Sequence, residues 1–333
     1  MAARLRRLVT GYPELVAVLV AAAVGLNASQ PFAWLAGHQA IGILLAILVF
    51  ATGLTIMPTA LRGAARSWPA MLAVVVTGIT VLPALSWAVS RLVAAGPLRD
   101  GVMTAGLAPC EIASVAITSM ADGAAALSAG VLIGSTVTTV AVAGPVLALE
   151  AGHAAVRSEN SPHPASAVDP AHIIASLALV VALPLAAGLA LRARVPVTER
   201  AEPAAAVTAT VAVAALVAVI ASQVHLSGRY LPVALALALF LAGSAVAGRL
   251  LGARSARPEA TAVLLTTSMR DFAIAAGLAA AAFGPAAAAP LGLYGVLVLA
   301  WGTAVAGVRR RRAQPPYPRN ADTDDHNKGT DDH

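Results

Sequence analysis

Glu111, Arg270 and Asp271 are the three charged residues that fall well inside long apolar runs of this sequence. Charge in hydrocarbon is costly, so such residues mark pathways or binding sites. A carboxyl group there can load and unload a proton, and a guanidinium can draw in an anion. Glu111 lies in the run Gly106-Leu-Ala-Pro-Cys-Glu-Ile-Ala-Ser114. Within it, Pro109 removes one helical amide and clashes with the carbonyl four residues back, so the helix is expected to kink or unwind. Backbone groups freed in this way can face a ligand where they line a cavity. Thr266, Thr267 and Ser268 precede Arg270-Asp271 without a proline, and a break there is expected from polarity alone. Adjacent helical positions point about 100° apart, so Arg270 and Asp271 do not simply neutralise each other. A structural ion pair between Glu111 and Arg270 is the alternative to a functional site. Cys110, the single cysteine, is either a small buried hydrophobe or a thiol for a soft metalloid.

These residues need elements that hold them inside a lipid bilayer. Of 333 residues, 59% are hydrophobic and 11% charged, which is more apolar surface than one soluble core hides. A spanning helix needs about 20 mostly apolar residues. Candidate spans run roughly over 14–34, 39–56, 70–93, 101–120, 124–149, 172–191, 203–222, 230–248, 260–283 and 287–308. The first is interrupted by Asn27, Ser29, Gln30 and Pro31, and with Arg4, Arg6 and Arg7 ahead of it a cleaved signal peptide competes.

Lys and Arg gather in cytoplasmic loops. Taking the N-terminus as inside puts seventeen of the 22 basic residues inside and four outside, so a multi-pass protein of the cell membrane with both termini cytoplasmic is expected. Residues 1–150 then form a first five-helix repeat, 151–170 a polar extracytoplasmic linker, 171–308 a second five-helix repeat, and 309–333 a basic, then disordered, cytoplasmic tail. An odd number of spans per half inverts the second half, a plan common among secondary transporters. Glu111 and Asp271 are 160 residues apart, and the span ends at Gly123 and Gly284 are 161 apart, so the symmetry extends to individual residues.

Several classes drop out. The net charge of +6 is spread between apolar runs, with no basic face interleaved with aromatics, so nucleic acid is not an expected partner. The only lysine is Lys328 in the tail, which leaves no phosphate-binding loop for ATP. His38, His153, His163, His172, His225, His326 and His333 lack paired helical spacing, so no haem, metal or other cofactor is expected. Neither a Ser/His nor a paired-Asp constellation is present to make the chain an enzyme.

At these residues the chain resembles the bile acid/sodium symporter family and the related arsenite-efflux permeases, over essentially residues 12–308. Three places carry the likeness. They are Gly53-Leu-Thr-Ile56 followed by Pro58, then Ala108-Pro-Cys-Glu-Ile-Ala-Ser114 through Asp122-Gly-Ala-Ala-Ala-Leu-Ser128, and then Ser268-Met-Arg-Asp-Phe-Ala-Ile-Ala-Ala-Gly277. The resemblance implies ten helices in a panel domain and a core domain, with the fourth and ninth broken and crossing at the binding site. It also shows departures. An Asn of sodium-coupled members is Val115 here, and a Thr of the next helix is Leu132. A Glu and a Gln of the ninth helix fall at Thr266 and Arg270, and a Gln of the third falls near Gly78. Ser114 and Ser128 remain, too few oxygens to hold sodium as those relatives do.

The expected function is therefore secondary active transport of a small organic anion by alternating access, coupled to a proton rather than to sodium. The expected site comprises Pro109, Cys110, Glu111, Ser114, Ser128, Thr266, Thr267, Ser268, Arg270 and Asp271. Arg270 would attract the anion, and Glu111 or Asp271 would carry the proton. The Ala-Pro-Cys sequence is closer to arsenite permeases, so efflux of arsenite or antimonite, a metalloid oxyanion, through Cys110 is the alternative. A membrane sensor or subunit that transports nothing is the alternative from another class.

Overall fold

The computed structural model describes residues 13–27, 29–37, 40–55, 65–157, 170–194, 201–222, 228 and 230–313. Among these every regular element is helical. The first half holds α1 (Pro13–Asn27), α2 (Ser29–Gly37), α3 (Ala40–Thr55), α4 (Trp68–Ile79), α5 (Val81–Ser90), α6 (Pro97–Thr104), α7 (Ala113–Met120) and α8 (Ala125–Arg157). The second holds α9 (Pro170–Leu177), α10 (Leu183–Arg194), α11 (Ala201–Ala221), α12 (Tyr230–Leu251), α13 (Arg257–Ser268), α14 (Phe272–Phe283) and α15 (Ala289–Ala313). A π-helical turn, Ala178–Ala182, joins α9 to α10.

Five stretches are long and apolar enough to cross a membrane: Trp68–Ser90, Ala125–Leu147, Ile174–Arg194, Tyr230–Arg254 and Pro285–Arg309. Their outward faces carry large apolar side chains such as Leu231, Leu250 and Val137, all exposed, as lipid-facing surfaces require. The chain is thus an all-α membrane protein.

The helix ends follow the sequence. The first candidate span is two helices, because α1 stops at Asn27, whose side-chain amide donates back to the Ala23 carbonyl at 2.7 Å. Pro69, Pro97 and Pro258 sit in the first turn of α4, α6 and α13, where a missing amide costs nothing. Gly284, with φ of 87°, ends α14. One boundary differs from expectation. The helix α8 runs on to Arg157, into the polar linker. Residues 158–169 of that linker, the tail after Ala313, and Ile56 to Pro58 lie outside the described residues.

The helices sort into two packing groups that cut across the two halves of the chain. In one, α3 lies between α10 and α11, and α11 also packs along α1. The α3–α10 crossing is close because a Cβ on Gly188 would stand 2.5 Å from the Phe50 carbonyl oxygen, and one on Gly53 would stand 2.8 Å from that of Leu185. Where no water drives helices together, such small residues allow the backbones to touch. In the other group, α12 packs on α5, α13 and α15, and α8 packs on α4, α7 and α13. The two interrupted stretches, α6 with α7 and α13 with α14, belong to this second group.

Candidate functional site at two paired helix breaks

Pro109 and Asp271 each stop a helix, and the two stops face each other. Residues between α6 and α7 leave the helical path, as Pro109 requires. Between α13 and α14 there is no proline, yet Met269 (φ −92°, ψ 107°) and Asp271 (φ −70°, ψ 104°) are extended. The cause is Asp271 itself. Its Oδ1 accepts from the amides of Ala273 at 2.9 Å and Ile274 at 2.8 Å, a side-chain cap that starts α14.

The extended segments pair as a single antiparallel bridge at Cys110 and Arg270. The Glu111 amide donates to the Met269 carbonyl at 2.9 Å, and the Asp271 amide donates to the Pro109 carbonyl at 2.9 Å. A shift of 160 residues carries one bond into the other, since 111 maps to 271 and 109 to 269. Backbone groups lost to two helices are thereby satisfied, as burial demands. The helix α8 supplies further partners. Ser135 Oγ accepts from the Cys110 amide at 3.1 Å, and Thr139 donates to the Leu107 carbonyl at 3.3 Å.

Alternate residues of an extended segment point to opposite faces, and this separates the charges. The Met269 side chain goes towards Ile117 and Gly302. Arg270 goes the other way, towards α4, where a Cβ on Gly78 would stand 3.2 Å from its Nη1 and 3.3 Å from its Nη2. Its Nη2 donates to the Ala108 carbonyl. The carboxylates sit at the helix N-termini, where partial positive charge favours them. Glu111 Oε1 accepts a long bond from the Ala113 amide (3.5 Å) at the start of α7, and its Oε2 accepts one from the Phe272 amide (3.4 Å) at the start of α14. Glu111, Arg270 and Asp271 are the only buried charged side chains among the described residues.

Of the expected site residues, Pro109, Cys110, Glu111, Ser114, Arg270 and Asp271 meet at the crossing. The Cys110 thiol is fully buried, with its sulfur 3.0 Å from Ser114 Oγ. The others bond elsewhere. Ser128 donates to Thr118 at 2.9 Å, and Thr266 donates to the Ala262 carbonyl of its own helix at 2.7 Å. Ser268 donates to the Leu264 carbonyl at 2.8 Å and accepts from the Trp301 indole at 3.0 Å. Thr267 is buried beside Gly248 and its hydroxyl has no partner.

Sequence reasoning missed Ser135, Thr139 and Tyr294. Ser135 and Thr139 carry a usable signal, two hydroxyls at i and i+4 on one face of an apolar span. Tyr294, fully buried against Phe240 with ring centroids 5.8 Å apart, is the aromatic nearest the charges.

An all-α membrane protein with two paired breaks enclosing buried charge is the class that the fold and site define. The chain belongs to the Sodium Bile acid symporter family, whose sequence model matches residues 42–231, more than half of its length. Members of that family are transporters. The matched region contains the first break and ends before the second. A comparison with curated proteins returned no match.

Proposed function

We propose that this protein is a secondary active transporter for a small organic anion, working by alternating access and coupled to protons rather than to sodium. It would lie in the cell membrane with both termini in the cytoplasm, as ten spans in two inverted five-helix repeats. The 160-residue shift that relates the two crossing hydrogen bonds supports the inverted repeat.

One observation carries the reading: two carboxylates and one guanidinium are buried together where two broken helices cross. Their formal charges leave one negative charge over, and a single proton neutralises it. A crossing that becomes neutral on protonation moves its charge state through hydrocarbon at less cost. The permanent charge of Arg270 favours an anion through its field rather than by contact, since the side chain is 2% exposed. The hydroxyls left for sodium are already engaged, Ser114 with Cys110, Ser128 with Thr118 and Thr266 with Ala262.

Uptake of radiolabelled small organic acids into proteoliposomes tests the proposal. Uptake follows an imposed inward proton gradient, persists when choline replaces sodium, and loses its pH dependence in Glu111→Gln or Asp271→Asn. Saturable stimulation by sodium would overturn it.

A further inference from the structure

Arg270 is the largest fully buried side chain among the described residues. Only one of its donors has a protein acceptor, the Ala108 carbonyl, and Nε has no partner. An arginine so deeply placed is costly unless something compensates its charge. The carboxylates do so only in part, because they point to the opposite face of the bridge and bind helix amides. The remaining compensation is structural. The helices α6 and α13 both end at the crossing, and the partial negative charge of their terminal carbonyls favours a cation there. On the third side the wall is Gly78, the one residue type without a Cβ to press on the guanidinium.

We propose that this chamber, between Gly78, the Ala108 carbonyl and the ends of α6 and α13, is a binding site for a planar monovalent cation, which the chain fills with its own Arg270. The guanidinium is a tethered ligand. It closes this face of the crossing to diffusible cations and leaves the carboxylate face as the only place where a mobile positive charge, a proton, can be taken up. The inference shares its location with the proposed transport site, but the two stand on different measurements.

The test removes the tether. The full-length Arg270→Ala protein, purified in detergent, is expected to melt below the wild type. Millimolar guanidinium chloride is expected to raise its Tm saturably, as a ligand of the folded state does, with methylguanidinium acting alike. Sodium and choline chloride at the same ionic strength have no such effect, and wild type does not respond to guanidinium because the chamber is full. Failure of guanidinium to stabilise Arg270→Ala, an equal rise with sodium, or an equal response of wild type would each overturn the proposal.

If Arg270→Ala does not fold, Gly78→Ala decides, because its methyl would press on Nη1 and Nη2. A lowered Tm that Arg270→Lys in the same protein partly restores supports the seat. Gly78→Ala as stable as wild type overturns it. Since stability is the readout, a protein that shows rescue yet moves no anion would refute the transport reading alone.

Discussion

Cys110 and Arg270 oppose each other across an antiparallel bridge that joins two interrupted helices 160 residues apart in sequence. The pairing sends the guanidinium to one face and the carboxylates of Glu111 and Asp271 to the other. The simple ion pair between Glu111 and Arg270 that the sequence allows is thereby replaced by a division of labour. The arginine fills a seat in α4, and the acids cap helices.

Asp271 has two separable roles, a cap for α14 and a buried charge. Asparagine caps as well as aspartate, whereas alanine at an N-cap costs about 1 kcal/mol. Thermal melting should therefore place Asp271→Ala clearly below wild type and Asp271→Asn closer to it. Both variants should lose pH-dependent uptake. Equal melting of the two would remove the capping role.

Ser135 holds the Cys110 amide, which has no helical acceptor once Pro109 has broken the helix. Ser135→Ala leaves that donor buried and unsatisfied, a loss of about 1–3 kcal/mol. Thr139→Val, which removes a longer bond, should cost less. Chemical unfolding of the purified variants measures both.

The seam between α3 and α10 predicts a steric result. Gly188→Ala would bring a methyl to 2.5 Å from the Phe50 carbonyl oxygen, and overpacking of that kind costs about 1–3 kcal/mol. A lower melting temperature with the crossing residues untouched is the expected outcome. An unchanged one would show that the helices can part there without penalty.

Cys110 separates the two transport chemistries. Its buried thiol lies against Ser114, so Cys110→Ser keeps a hydrogen-bonding group of similar size and should retain uptake of organic acids. Loss of arsenite resistance in a sensitive host, at unchanged expression, would instead favour metalloid efflux.

Orientation is tested by labelling. In a Cys110→Ala background, a cysteine at Ser158 should react with an impermeant maleimide from outside, and one at Thr198 should not. The reverse pattern would invert the topology.

Much of this was legible in the residues. Burial of Glu111, Arg270 and Asp271 follows from their place in apolar runs, and the first break from Pro109. The second break was legible only as polarity, because its cause is a cap, and a cap is recognised once the helix it starts is known. The pairing of the breaks was not legible at all, since a residue spacing states symmetry but not which backbone groups meet. Ser128, Thr266 and Ser268 were placed at the site by type, whereas each finds a nearer acceptor. The extension of α8 past Leu149 has a similar origin. Polar residues after a span do not end a helix unless a breaker intervenes, and none stands before Arg157.

The reciprocal amide bonds of Glu111 and Asp271 also have a mechanical consequence. Pulling the two interruptions apart would strip two donors and two acceptors at once, each costing about 1–3 kcal/mol when left dry. The crossing therefore behaves as a rivet, and the four half-helices travel as one rigid piece. Any stroke that carries the site from one side of the membrane to the other must fall elsewhere, at the sliding boundary where α3 and α11 meet α14 and where α1 and α11 meet α15.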